Sequence, residues 1–323
     1  MSTNPLSPDQ SLETRIAAIG ADGYVTADEV LFLRRSIFAD GVISAAELDA
    51  LFALGARAPE GDIEWPQYFA EAAADHYLRE EEPQGYLTAE EFASLKTRVM
   101  RDGGANALER LLLIKLMETA VETPKEMSAF AGEQIKAAIF GKEGGPCVSK
   151  EDVMMVRRWL FAAGGDANVA VTQNEAELLF DINDAIEGAD NNPAWSELFV
   201  QGVVNHLMAS LGYSAPSRAE AFRRYEWVSD HSVEVGGFFG RMFTGVASLF
   251  RKDKKTVYEE RAEERSAAAE DAETVTPEEA EWLANRIGRD GEFDDNERKL
   301  IERMKDLNAR LPEGLQELVK RAA

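Results

Sequence analysis

The chain has 323 residues, 45% of them hydrophobic, and a net charge of −24. This composition is too apolar for a disordered protein, and the length is sufficient for two domain cores. An acidic surface is repelled by the phosphate backbone, so a nucleic-acid-binding function is disfavoured. A chain with one cysteine, Cys147, cannot form an internal disulfide, and no apolar run reaches the ~20 residues of a membrane span. We therefore expect a cytoplasmic protein.

Four segments of the chain open alike, with a hydroxylated residue followed three positions later by an acid. They are VTADEVLFLRR, LTAEEFASLKT, VSKEDVMMVRR and VTPEEAEWLAN, beginning at Val25, Leu87, Val148 and Val275. The first three recur at a period of about 60 residues, and the fourth follows after roughly two periods. Such a pattern predicts an array of four similar units, with an insertion before the last.

Each opening is followed by a second turn that also ends in an acid. These turns are ADGVISAAE, RDGGANALE, GGDANVAVTQNE and RDGEFDDNE, and they end at Glu47, Glu109, Glu175 and Glu297. The first and third copies share three further residues at identical spacing: Trp65, Phe69 and His76 correspond to Trp195, Phe199 and His206. This match predicts that copies one and two form one half of the molecule, and copies three and four the other.

The periodicity between these marks is helical, since apolar residues recur three and four positions apart. We predict an all-α fold of two related halves, built from four helix–turn–helix units. The expected organisation is a lead at 1–21, a first half at 22–141, and a second half at 146–212 and 272–323, interrupted by an insertion at 213–271.

The turn around Asp40 resembles the second half of a calcium-binding loop. With Gly at loop position 6, Asp40 and Glu47 take positions 5 and 12, which fit the ligand pattern. Phe38 then takes position 3 and cannot bind a metal. In two other copies Arg98 and Arg286 take position 1, where a cation opposes a divalent ion. None of these turns is therefore a standard EF-hand loop.

Helix capping explains the same acids without a metal. Each acid lies three residues after a residue able to cap a helix, as in Thr26/Glu29, Ser44/Glu47, Thr88/Glu91, Asn106/Glu109, Ser149/Asp152, Thr172/Glu175, Thr276/Glu279 and Asp294/Glu297. In a capping box the two side chains satisfy each other's backbone N–H groups at the helix start. We therefore predict that most of these pairs are capping boxes.

A divalent cation such as Ca²⁺ remains an alternative ligand, bound in a geometry other than that of the EF-hand. The carboxylates near the turns are the candidates: Asp22, Asp40 and Glu47 in the first copy, then Asp102 with Glu109, and Asp290 with Glu297. Carboxylate oxygens are the ligands that Ca²⁺ prefers. No other cofactor is predicted.

The phrase FADGVISAAELDAL, preceded by an amphipathic helical pattern, resembles the TerB-like (tellurite-resistance B-like) family. These are all-helical domains with an A-D-G-x-[IV]-[ST]-x-x-E signature. The resemblance is specific over residues 22–56. It is weaker over 88–120 and 276–310, where Arg replaces the Ala before Asp-Gly, and the third copy has GGDAN in place of Asp-Gly.

This resemblance implies a cytoplasmic, stress-associated module. Members of the family are sometimes metal-binding and sometimes linked to membranes. For Asp22, Asp40 and Glu47, the resemblance implies the family's metal-binding role. We therefore expect a non-catalytic interaction or stress-response module that binds divalent cations weakly. The alternative is a purely structural scaffold for protein–protein interaction, with no metal site.

The insertion contains an apolar stretch at 235–250, followed by a basic cluster and a charged segment at 251–271. Three roles compete for it: completion of the core, contact with a protein partner, and peripheral docking of 235–255 on the inner face of a membrane. The residues expected to contact a partner or membrane are Phe238, Phe239, Met242, Phe243, Phe250, Arg251 and Lys252.

We predict that the chain is not an enzyme. The sequence has no Gly-rich phosphate loop, nucleophile elbow or HExxH motif. Neither His76 nor His206 has a Cys or second His at metal-ligand spacing, so we expect both histidines to pack or cap. The predicted partner is a protein.

Overall fold

The computed structural model describes residues 18–36, 43–80, 84–162, 171–210, 277–287 and 293–305, together with positions 289, 316 and 320. The first 17 residues and the insertion at 213–271 lie outside the described residues, so the structure does not bear on what was predicted for them. Within the described ranges the fold is all-α, as the sequence predicted.

Six α-helices are described in full before residue 141. They are α1 (Ala27–Ser36), α2 (Ala45–Arg57), α3 (Glu64–Asp75), α4 (Ala89–Val99), α5 (Ala107–Thr119) and α6 (Glu126–Phe140). A π-helical turn, His76–Glu80, continues α3, and a 3₁₀ turn, Met100–Asp102, follows α4. Gly103 ends this turn with φ of 94°, a left-handed conformation that glycine adopts without strain.

Five further helices are described in the rest of the chain. They are α7 (Lys150–Leu160), α8 (Gln173–Ala185), α9 (Ala194–Ser210), α10 (Pro277–Arg286) and α11 (Asp295–Lys305). None of the described helices is long and apolar enough to cross a membrane.

The first helix of each set of three is preceded by a short extended segment. Tyr24–Val25 (β1) pairs in parallel with Glu60–Gly61 (β2), and Tyr86 forms a similar isolated bridge with Glu122. The Val148 carbonyl oxygen accepts from the N–H of Asn192 at 2.8 Å. These contacts bring the loop between the second and third helices against the entry to the first.

The helices stack in a recurring order. Helix α3 packs on α5, α6 packs on α8, and α9 packs on α11. Three tryptophans, Trp65, Trp159 and Trp195, are among the largest fully buried side chains of the described core. Trp65 Nε1 donates to the Ala58 carbonyl oxygen at 3.0 Å, and Trp195 Nε1 donates to Asn183 Oδ1 at 3.3 Å. The core therefore runs along the stack, and its buried indoles retain hydrogen-bond partners.

Candidate functional site

The predicted capping acids are engaged with helix starts. Ser44 N–H donates to Glu47 Oε2 at 2.9 Å, and Glu47 N–H donates to Ser44 Oγ at 3.3 Å. The same reciprocal pair of bonds is present at Thr26/Glu29, Thr88/Glu91, Asn106/Glu109, Ser149/Asp152, Thr172/Glu175 and Asp294/Glu297. The eighth predicted pair includes Thr276, which lies outside the described residues. The capping prediction is confirmed for the seven pairs described.

The candidate metal ligands of the first copy are used locally where they are described. Asp22 is exposed, and its Oδ1 accepts from the N–H of Tyr24 at 3.1 Å. Glu47 belongs to the cap of α2. Asp40 lies outside the described residues.

The second-choice ligands differ in exposure. Asp102 is exposed at the end of the 3₁₀ turn, whereas Glu109 and Glu297 are buried in the caps of α5 and α11. Asp290 lies outside the described residues. The described ranges contain no group of three or more His, Cys, Asp or Glu residues able to hold a metal ion. Binding of Ca²⁺ stays a prediction.

Glu297 lines a cavity of about 310 Å³ beside the start of α11. The other described residues around this cavity are Asp184, Glu187, Arg289 and Asp294. The acids would favour a cation, but the Arg289 guanidinium occupies the same lining and opposes one. Acids alone, several of them already hydrogen-bonded, do not define a metal centre here.

Glu109 is one of three buried capping acids in the described part of the chain, with Glu29 and Glu297. Its side chain is 3% exposed, and burial raises the pKa of the carboxyl group above its usual value. The hydrogen bond from the Asn106 backbone acts in the opposite direction. This carboxylate thus stabilises the start of α5 at a desolvation cost.

The equivalent histidines take equivalent positions. His76 Nδ1 lies 2.5 Å from the carbonyl oxygen of Ile43, and His206 Nδ1 lies 2.8 Å from that of Val171. Each carbonyl precedes the cap of a helix, α2 or α8. Because a carbonyl oxygen only accepts, each Nδ1 carries the proton, and both histidines act as buried structural donors.

The residues predicted to contact a partner or membrane all lie outside the described part of the chain. They are Phe238, Phe239, Met242, Phe243, Phe250, Arg251 and Lys252. The function of the segment 235–255 stays a prediction.

An open groove lies between α2 and α4. Its volume is about 600 Å³, and its described lining consists of Asp49, Ser94, Thr97, Arg98 and Arg101. We call it the α2–α4 groove. Its lining includes two guanidinium groups, in contrast to the overall acidic character of the chain.

Arg98 lines this groove and is held in position there by hydrogen bonds. Its Nε donates to Asp49 Oδ1 at 2.9 Å, and its Nη1 donates to Ser94 Oγ. The Tyr77 hydroxyl lies 3.5 Å from Nη1, and burial raises the pKa of that phenol to about 12. The Arg98 side chain nevertheless remains 20% exposed. It is therefore preorganised and still accessible.

The corresponding arginine in the second half is sealed. Arg286 of α10 follows Glu279 at the same interval as Arg98 follows Glu91. Its Nη2 lies 2.9 Å from Asp181, its Nη1 lies 2.7 Å from Asp184, and its Nε lies 3.3 Å from Glu177. The guanidinium also stacks 5.0 Å from the centre of the Phe180 ring. The Arg286 side chain is only 4% exposed.

The indole of Trp282, one helical turn before Arg286, packs against α8. Trp282 Nε1 donates to Glu177 Oε2 at 2.9 Å, and its ring meets Phe180 and His206 edge to face at 6.3 and 5.7 Å. The position that matches Trp282 in the first half is Ser94. The space that the indole takes between α8 and α10 therefore has only a hydroxymethyl side chain between α2 and α4.

Two carboxylates of α8 correspond to alanines in α2. Counting from the capping acids Glu47 and Glu175, Asp49 corresponds to Glu177. By the same count Ala53 and Ala56, both exposed, correspond to Asp181 and Asp184. Among the described residues, Arg98 therefore has one carboxylate partner, whereas Arg286 has three.

Sequence patterns alone did not identify this groove. In the sequence, Arg98 and Arg286 indicate only that their turns are not calcium loops, and their common interval from a capping acid is the one signal that relates them. The sequence does not show which helix faces which, and the role of Ala53 and Ala56 depends on α2 lying against α4.

Comparison of the chain with protein-family models, curated proteins and solved structures found no match.

Proposed function

We propose that the chain is a non-catalytic interaction module, built from four related helical units, that binds a protein partner in the α2–α4 groove. The observation that carries this proposal is the accessible Arg98, fixed by Asp49 and Ser94 in a groove of about 600 Å³. A preorganised guanidinium forms directed bonds with little loss of side-chain entropy. Such a group is suited to recognition.

Matched contacts in the two halves support the repeat. The caps of α2 and α8 each pair a hydroxyl side chain with a glutamate, and His76 and His206 donate to corresponding carbonyl oxygens. The packing of α3 on α5, of α6 on α8 and of α9 on α11 adds a common packing scheme. Stacked repeats expose grooves between neighbours, and repeat proteins use such surfaces for binding.

The capping network supports a non-catalytic role. General acid–base catalysis requires a carboxylate that is free to exchange a proton with a substrate. Where described, the capping acids accept bonds from backbone N–H groups at helix starts, as Glu47 and Glu91 do. The TerB-like assignment, the stress-response role and the contact of 235–255 with a membrane or second partner stay separate predictions.

The proposal is tested by selecting displayed random 12-residue peptides on the full chain and on the variant Ser94→Trp. The variant places an indole where the second half has Trp282, so it fills the groove. We expect a peptide family that binds the native chain and loses binding at least tenfold to the variant. Selection of peptides that bind both proteins equally would refute the groove as the site and favour a scaffold without this binding function.

Cation binding is tested separately. Calorimetric titration of chelator-stripped protein with Ca²⁺, with Mg²⁺ as the reference and Asp40→Asn as the matched variant, should give saturable heat that the variant loses if the family's metal role applies. Equal heats for the two proteins would show that Asp40 is not a Ca²⁺ ligand and would favour the interpretation of these turns as helix caps.

A further inference from the structure

We propose that the occupant of the α2–α4 groove is an acidic peptide segment carrying an aromatic residue, with tryptophan preferred. This inference rests on the proposed function and specifies the partner's chemistry. It follows from the second half, where the corresponding space is filled from within the chain. The residues that fill it are Trp282, Asp181 and Asp184.

Charge supports the acidic part of the occupant. Arg98 is paired with Asp49, and Arg101 on the same groove is exposed. The neighbouring face of α2 presents Ala53 and Ala56 where α8 presents carboxylates. Two carboxylates from a partner would therefore complete around Arg98 and Arg101 what α8 supplies to Arg286. Bonds between guanidinium and carboxylate groups are among the stronger hydrogen bonds in proteins.

Space and hydrogen bonding support the aromatic part. Ser94 stands where the second half has an indole, and the groove's volume of about 600 Å³ falls in the range of ligand pockets. Asp49 occupies the position of Glu177, the acceptor of the Trp282 indole N–H. An incoming tryptophan would find an acceptor and a guanidinium to stack against, as Phe180 does with Arg286.

The test uses the full chain and a fluorescently labelled pentapeptide, Asp-Glu-Trp-Glu-Asp, followed by fluorescence anisotropy. We expect saturable binding that weakens about tenfold when the central Trp is replaced by Ala. Binding should disappear for Lys-Arg-Trp-Arg-Lys, because its basic residues are repelled by Arg98 and Arg101. Equal binding of the acidic and basic peptides would overturn the proposal.

Three variants locate the site. Ser94→Trp fills the aromatic space, and the double change Ala53→Asp with Ala56→Asp supplies the carboxylates from within the chain. Arg101→Ala removes one guanidinium. Each variant should weaken binding of the acidic peptide at least fivefold. Ala53 and Ala56 are exposed helix positions, so that double variant provides the test if Ser94→Trp does not fold.

The control is Arg298→Ala, because Arg298 is an exposed arginine of α11 remote in sequence from the groove. It should bind the peptide as the native chain does. Unchanged binding in all three groove variants would overturn the proposed occupant. Groove-dependent selection of displayed peptides that are neither acidic nor aromatic would refute this occupant and leave the proposed function standing. Absence of any groove-dependent peptide would refute both.

Discussion

Two junctions of the molecule share a packing scheme and differ in chemistry. At the first, α2 and α3 meet α4 and α5, and at the second, α8 and α9 meet α10 and α11. Gly55 in the first lets Phe69 and Leu108 approach so closely that an added Cβ would lie 2.8 and 3.2 Å from them. The matching position of the second is Asn183, whose Oδ1 accepts from Asn296 Nδ2 at 2.8 Å.

This difference accompanies the different exposure of the two corresponding arginines, 20% for Arg98 and 4% for Arg286. The first junction is closed by apolar packing of Gly55 against Phe69 and Leu108. The second is held by polar bonds, with Asn183 at 1% exposure and Arg286 joined to three carboxylates. The same contact between repeats is thus an open groove in one half and a structural clamp in the other.

Replacement of the two arginines should give the largest contrast. Arg286→Ala removes a buried guanidinium from three acids and from the Phe180 ring, and we expect a loss of about 3 kcal/mol in the free energy of unfolding of the second junction. Arg98→Ala breaks a more exposed pair and should cost less than about 1 kcal/mol. Denaturant unfolding, with hydrogen exchange resolved by helix, measures both.

Hydrogen exchange is needed because stacked repeats can open locally. Loss of protection confined to α10 and α11 in Arg286→Ala would agree with the clamp. Equal losses for the two variants would contradict the distinction between the junctions.

The apolar closure of the first junction is tested by Gly55→Ala. Alanine favours the helix by about 1 kcal/mol, but its Cβ would overlap the Phe69 ring, which is fully buried between Phe52 and Trp65. We expect net destabilisation of roughly 1–2 kcal/mol by thermal or denaturant unfolding. Gly104→Ala is the control, since its Cβ would meet nothing closer than 3.5 Å. A stabilised Gly55→Ala variant would show that this junction is not tightly packed.

The capping role is tested by Ser44→Ala. It removes the side-chain acceptor at the start of α2 and should lower the free energy of unfolding by about 1 kcal/mol. Because Glu47 is engaged in the cap, the loss should be the same with calcium or with chelator. A loss that appears only in the presence of calcium would favour a metal-binding turn.

Local signals in the sequence predicted the helix starts well. Ser44 and Glu47 interact through backbone groups three residues apart, so their bonds depend only on the chain adopting a helix there. The equivalence of His76 and His206 was likewise visible, because both lie at a fixed interval from a tryptophan.

The groove depends on contacts between residues far apart in the chain, and this is why the sequence did not predict it. Arg98 and Asp49 are 49 positions apart, and Arg286 and Asp184 are 102 apart. Nothing local distinguishes an arginine that is sealed from one that is accessible. That distinction comes from Ser94 at a position whose counterpart is Trp282, and it acquires meaning only when the helices are seen together.

The smallest expected effect concerns Glu109, the buried cap acid of the first junction. Burial raises its pKa in the folded protein, so between the unfolded and folded pKa values the folded state holds a proton that the unfolded state has lost. Stability from this group is therefore fully present below the unfolded pKa and decreases as pH rises through the folded pKa.

Glu109→Gln retains a side chain that can complete the capping box but removes the titration. We expect the variant and the native chain to have similar urea midpoints at pH 4, and the variant to gain relative stability as the pH approaches 7. Glu47→Gln makes the same substitution at the partly exposed cap of α2 and is the matched control. A native chain that gains stability relative to Glu109→Gln between pH 4 and 7 would mean that the hydrogen bond from Asn106 outweighs burial at this helix start.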